Sequence, residues 1–217
     1  MKISHRYNFV FFCNPKTGLE SVRDMLEPYS DFSSTTYRQR TEENPFYSHM
    51  RPVEARDCFN ALNWNFSAYQ KFVFIRNPWA RMVSLYEMIR QNTGQPRNRA
   101  DFLAWLYTTD SGKHGGGGED WKRWRKYGTY SIVNYAGDDK AEMLVDKILK
   151  LECIQEDLPK YLADIGLPAA GSLTIPHKNQ RSKENHYSRY YDKQAINFVQ
   201  SNYSLDIELF DYKFETI

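Results

Sequence analysis

Long apolar stretches are missing from this 217-residue chain. The longest unbroken one runs only from Phe102 to Tyr107, whereas a bilayer-spanning helix needs roughly 18 or more apolar residues. No membrane helix is expected. Excess charge is missing too: 29 Lys and Arg against 27 Asp and Glu leave +2, too little to bind nucleic acid by bulk electrostatics. Any anion site must be local. Cysteine is scarce, and Cys13, Cys58 and Cys153 form an odd set with no CxxC or Cys/His ligand spacing. That pattern gives neither a disulfide framework nor a metal site, and it fits a reducing compartment. The apolar run Phe9 to Cys13 is too short for a signal-peptide core. The expectation is a cytoplasmic protein.

What is present is an ordinary globular balance, 41% hydrophobic and 26% charged, which argues for a buried core. No linker divides the chain, so residues 1–217 are expected to form a single domain. Aromatic residues reach 16%, a level that hints at a ligand-contacting surface.

Phe9 to Cys13 is continuously apolar, as suits a strand covered on both faces. It stops at the turn-forming Asn14-Pro15-Lys16-Thr17-Gly18, after which Val22, Met25 and Leu26 keep helical spacing. The pattern recurs at Phe72 to Ile75, followed by Arg76-Asn77-Pro78. Asn77 is a natural N-cap and Pro78 suits the first helical position; Trp79, Met82, Val83 and Tyr86 supply the apolar face. A third strand is expected over Lys147 to Glu152. It precedes a helix bearing Leu158, Tyr161, Leu162 and Ile165 that stops at Gly166. Shorter helices are expected around Phe102–Leu106 and Asp192–Tyr203, with a terminal strand at Tyr212–Phe214. Repeated strand–loop–helix units predict a three-layer α/β fold. Its sheet should be central and mostly parallel, with ligands at the carboxyl ends of the strands.

Two loops carry the chemistry. Pro15-Lys16-Thr17-Gly18-Leu19-Glu20-Ser21 offers backbone N–H groups at a helix start beside a lysine and hydroxyls, an anion cradle. The bland reading is a plain chain turn with Lys16 in solvent. The order differs from a Walker A loop, because Gly-x-x-x-x-Gly-Lys-Ser/Thr occurs nowhere. In the second loop, Arg76 ends a buried strand and Ser84 lies two turns into the next helix. A guanidinium fork and a hydroxyl suit a second phosphate; otherwise Arg76 caps the sheet and Ser84 faces water. Two such loops after two buried strands point to a ligand with two separated phosphates.

These residues resemble the PAPS-dependent sulfotransferases, specifically the carbohydrate-type sulfotransferase-2 family. The resemblance rests on Pro15-Lys16-Thr17-Gly18 and on Arg76-Asn77-Pro78 with Arg81, Ser84 and Tyr86. It continues through Val145–Glu152, Pro176–Asn179, Tyr190-Tyr191, Asp206-Ile207 and Phe210–Phe214. It implies a P-loop-like fold and transfer of a sulfuryl group from 3′-phosphoadenosine-5′-phosphosulfate (PAPS) to a hydroxyl acceptor, a sugar or glycan. It assigns Lys16, Thr17, Gly18 and Ser21 to the 5′-phosphosulfate, and Arg76 and Ser84 to the 3′-phosphate. Lys16 stands near the bridging oxygen. His49, ahead of Arg76 in Ser48-His49-Met50, falls where the family keeps its general base; the alternative is a surface-loop histidine. His5, His114, His177 and His186 are weaker candidates. Metal and nucleic acid are not expected partners.

Glu20 departs from the family, which carries small or hydroxyl residues there. It either repels the donor or points outward. Trp121–Tyr127, basic with interleaved aromatics, is either an acceptor surface or an amphipathic helix. Lys178, Arg181 and Lys183 either cover the nucleotide or form a solvated loop. Two rivals remain: a nucleotide kinase on a similar sheet, and a non-catalytic nucleotide-binding protein.

Overall fold

The computed structural model describes residues 1–94, 97–108, 128–168 and 186–217. His114, the glycines 115–118, Trp121–Tyr127, Pro176–Asn179 (with His177) and the Lys178, Arg181 and Lys183 group lie outside these residues. The chain divides into two compact units: Met1–Ile75 with Ala136–Lys178, and Arg76–Tyr135 with Asn179–Ile217.

The first unit holds a five-stranded sheet of β1 (Lys2–Ser4), β2 (Phe9–Phe12), β3 (Phe32–Ser33), β4 (Gln70–Ile75) and β5 (Lys147–Lys150), in the order β3-β1-β2-β4-β5. β2 pairs parallel with β4 and β4 with β5, while β1 pairs antiparallel with both β2 and β3. Only β1 runs against the rest, so the protein is mixed α/β with a mostly parallel sheet. β5 stops two residues before the expected Glu152, because Leu151–Cys153 turn into a 3₁₀ helix.

The helices, in chain order, are α1 (Leu19–Leu26), α2 (Pro52–Ala61), α3 (Pro78–Thr93), α4 (Arg99–Leu106), α5 (Ile132–Ala136), α6 (Ile154–Asp164), α7 (Lys193–Asn202) and α8 (Ser204–Leu209). Every residue of β2 is buried, which is why its sequence does not alternate. Phe9 and Phe11 share a face with Phe72 and Phe74 and pack with Val22 and Leu26 of α1 and Leu158 and Leu162 of α6. Phe12 points to the other face and meets Phe66, whose ring meets Phe59 of α2. Among the described residues, much of the aromatic content is core material. Phe9, Phe11, Phe12, Phe46, Phe59, Phe72 and Phe74 are all fully buried, and each such side chain stabilises the fold by about 1.5–3 kcal/mol.

In the second unit, Trp79, Met82, Val83 and Tyr86 form the buried stripe of α3. The Tyr86 hydroxyl donates to Asp101 of α4 (2.7 Å), which also pairs with Arg90 (2.6 Å). The segment Tyr212–Phe214 is not the expected strand. Its backbone is engaged elsewhere: Tyr212 N–H donates to Ile207 O (3.0 Å), and Lys213 O accepts from the Asn77 side chain (3.0 Å). No helix among the described residues is long and apolar enough to cross a membrane.

Candidate functional site

β2 delivers the chain into the first loop through the buried Cys13 and Asn14. The Asn14 amide reaches across to Phe74 O of β4 (3.2 Å), and its own carbonyl accepts the Thr17 hydroxyl (2.8 Å). The loop thus closes on its own side chains. Lys16 (φ +66°) and Gly18 (φ +75°) are left-handed, and Thr17 between them is not. Alternating hand is the geometry in which consecutive backbone N–H groups converge on an anion. Two observations favour glycine at position 18. Its φ disfavours any L side chain, and an added Cβ would lie 2.4 Å from Leu151 Cδ1. Lys16 is half-buried, Thr17 and Ser21 are buried, Gly18 is exposed, and Glu20 is exposed on the first turn of α1.

His49 reaches this loop from a distant stretch of sequence. Thr35 bridges to Tyr47, and Ser48 N–H donates to Thr35 O (3.1 Å), which fixes the strip leading to His49. His49 Nδ1 then lies 2.8 Å from Cys13 O, at the end of β2. A carbonyl oxygen can only accept, so Nδ1 carries the proton and the lone pair of the neutral ring sits on Nε2. His49, Lys16, Thr17, Gly18 and Ser21 accordingly belong to one end of one sheet. Two weaker histidine candidates have structural contacts: His5 Nδ1 pairs with the Tyr69 hydroxyl (2.6 Å), and His186 Nδ1 accepts from Ser188 N–H (3.3 Å).

The second loop belongs to the other unit. Asn77 caps α3, its Oδ1 accepting from Trp79 N–H (3.1 Å) and Ala80 N–H (3.3 Å). Arg76 and Ser84 are both half-buried. Arg81, which the motif includes, is 1% exposed and donates to Tyr130 O at 2.5 Å. Burial pushes its guanidinium below the ordinary value, and Tyr203 and Asp206 push it back up. Asp206 accepts Ile132 N–H on both oxygens at 3.0 Å. Its own burial raises the carboxyl to about 6, against the pull of that hydrogen bond and of Arg81. Arg81 is therefore an interior brace, whereas Arg76 and Ser84 keep partly open positions.

Asn14 reads from sequence as a turn residue and Leu151 as part of a strand; neither reads as a residue that shapes the first loop. An Asn directly before Pro was the available signal for the first, and nothing local marks the second. A surface groove of about 600 Å³ in the second unit, lined by Arg189, Tyr191, Lys193 and Phe214 among others, includes none of the expected site residues. Among the described residues no cluster of His, Cys, Asp and Glu could hold a metal ion.

No curated protein and no solved structure matches the chain. A family model described as the sulfotransferase family does match, over residues 1–213, a span that takes in both loops and His49. On that match the chain belongs to the sulfotransferase family, of the sulfotransferase-2 type that its two loops resemble.

Proposed function

We propose that the protein transfers the sulfuryl group of PAPS to a hydroxyl on a sugar or glycan, as a cytoplasmic enzyme with a three-layer P-loop-like fold. The observation that carries this reading is the turn between β2 and α1 in which Lys16 and Gly18 are left-handed, with His49 tethered to the strand end before it. The backbone amides of the turn, with Gly18 and Ser21, take the 5′-phosphosulfate. Thr17 contributes through its N–H, since its hydroxyl donates to Asn14. Arg76 and Ser84 take the 3′-phosphate by charge-assisted and neutral hydrogen bonds.

PAPS supplies an activated sulfur whose bond to the nucleotide's phosphate oxygen can break. His49 accepts the acceptor hydroxyl's proton at Nε2 as that oxygen bonds to sulfur. Lys16 neutralises the charge gathering on the bridging oxygen as the old sulfur–oxygen bond breaks, leaving a sulfate ester and 3′-phosphoadenosine-5′-phosphate (PAP). Glu20 is exposed, so solvent screens its charge.

His49→Asn keeps a donor for Cys13 O and removes the base. It should cut turnover by about 10²-fold or more and leave PAP affinity unchanged. Arg76→Ala should weaken PAP binding by about 1–3 kcal/mol in calorimetry. Unchanged turnover in the first, or unchanged affinity in the second, removes that residue from its role.

A further inference from the structure

Positions 78–81, the first turn of α3, have their backbone donors already accounted for. Pro78 carries no N–H, Trp79 and Ala80 donate to Asn77 Oδ1, and Arg81 N–H donates to Asn77 O at 2.9 Å. The proposed grip on a phosphate at this end accordingly runs through the side chains of Arg76 and Ser84. The bearing of Arg76 relative to Ser84 is then set by Asn77, the residue between strand and helix.

Asn77 is itself held from outside the helix. The amide that caps α3 through its oxygen donates through Nδ2 to Lys213 O (3.0 Å). The next residue, Phe214, sets its ring against Trp79 (5.7 Å), between Tyr187 (5.5 Å) and Tyr191 (5.4 Å). Glu215 N–H donates to the Tyr187 hydroxyl (2.8 Å), and the Tyr191 hydroxyl donates to Trp79 O (3.0 Å). Lys213 and Phe214 thus strap the start of α3 through Asn77 and Trp79, and Glu215 anchors the strap to Tyr187.

We infer that this strap tunes the 3′-phosphate grip, with Asn77 and Phe214 as positioning residues that act through Arg76 and Ser84. The inference rests on the donor reading proposed above. Its specific consequence is selectivity: loosening the strap should blunt the preference for a nucleotide bearing a 3′-phosphate and spare binding of the rest.

The test is calorimetric titration of the full chain with PAP and with AMP, which lacks the 3′-phosphate. Asn77→Ser keeps a good cap but loses the bond to Lys213; Phe214→Ala removes the ring. Each should lower the PAP-over-AMP preference about fivefold or more, the worth of one hydrogen bond, with AMP affinity held. Phe214→Leu should restore most of that preference, and it serves as the measurement should the alanine variant fold poorly. Equal losses for PAP and AMP, or an intact preference in both variants, would overturn the strap. A wild-type chain that binds the two nucleotides alike would overturn the donor reading and the strap with it.

Discussion

Gly18→Ala probes the first loop with a single added carbon. At φ +75° an L residue carries a penalty of about 1–2 kcal/mol. The new Cβ, 2.4 Å from Leu151 Cδ1, also forces that methyl aside. Because it is the far end of a rotatable side chain, relief through a poorer rotamer adds only about 1 kcal/mol. Together these give roughly 2–3 kcal/mol, a fall in Tm of about 4–12 °C for a chain of this length. Gly94 and Gly166 supply the control. They are also left-handed, at +64° and +77°, but nothing lies within 4 Å of an added Cβ. Their alanine variants should show the backbone penalty alone, about 1–2 kcal/mol. Scanning calorimetry on the three variants separates the two effects. If Gly18→Ala costs no more than Gly166→Ala, the close approach of Leu151 to the loop is wrong, and the argument for glycine at this place reduces to its φ.

The interior brace of the second unit makes two further predictions. Asp206 titrates at about 6 when folded against an ordinary 3.8, so folding takes up a proton between those values. Its stabilising contribution is full below pH 3.8 and is lost as pH rises through 6, about 3 kcal/mol in all. Asp206→Asn should abolish that slope in urea unfolding from pH 4 to 7, and parallel profiles for the two proteins would contradict the assignment. Arg81→Met removes the donor to Tyr130 O and the positive charge that favours ionised Asp206, and should cost about 1–3 kcal/mol at pH 7. The loss should shrink by pH 5, where Asp206 is mostly protonated; a pH-independent loss would point to packing alone.

What the sequence displayed was mostly local. β2 and β4 were legible because strands buried on both faces are written as unbroken apolar runs, and both appear within two residues of expectation. The start of α3 was legible because cap chemistry is confined to Asn77 and Pro78. β1 was hidden because Lys2 and Ser4 read as surface residues. Lys2 is 3% exposed and its ammonium pairs with Glu27 and Ser33, 25 and 31 residues away. α2 carried a readable Pro52 at its first turn and a Glu54 that accepts Arg51 N–H (2.9 Å). The charged residues scattered through it blurred the apolar stripe.

The sharpest lesson is at Tyr212–Phe214. Burial alternates there as in a strand, with Tyr212 buried, Lys213 exposed and Phe214 half-buried. Periodicity reports which side chains face the core, and it is silent about what satisfies the backbone between them. Here the partners are an amide 136 residues earlier and a tyrosine hydroxyl 28 residues earlier, not a neighbouring strand. A strand and a strap share one sequence signature. They are told apart only by long-range hydrogen bonds, and at this place one of those bonds goes to Asn77, the residue that caps α3.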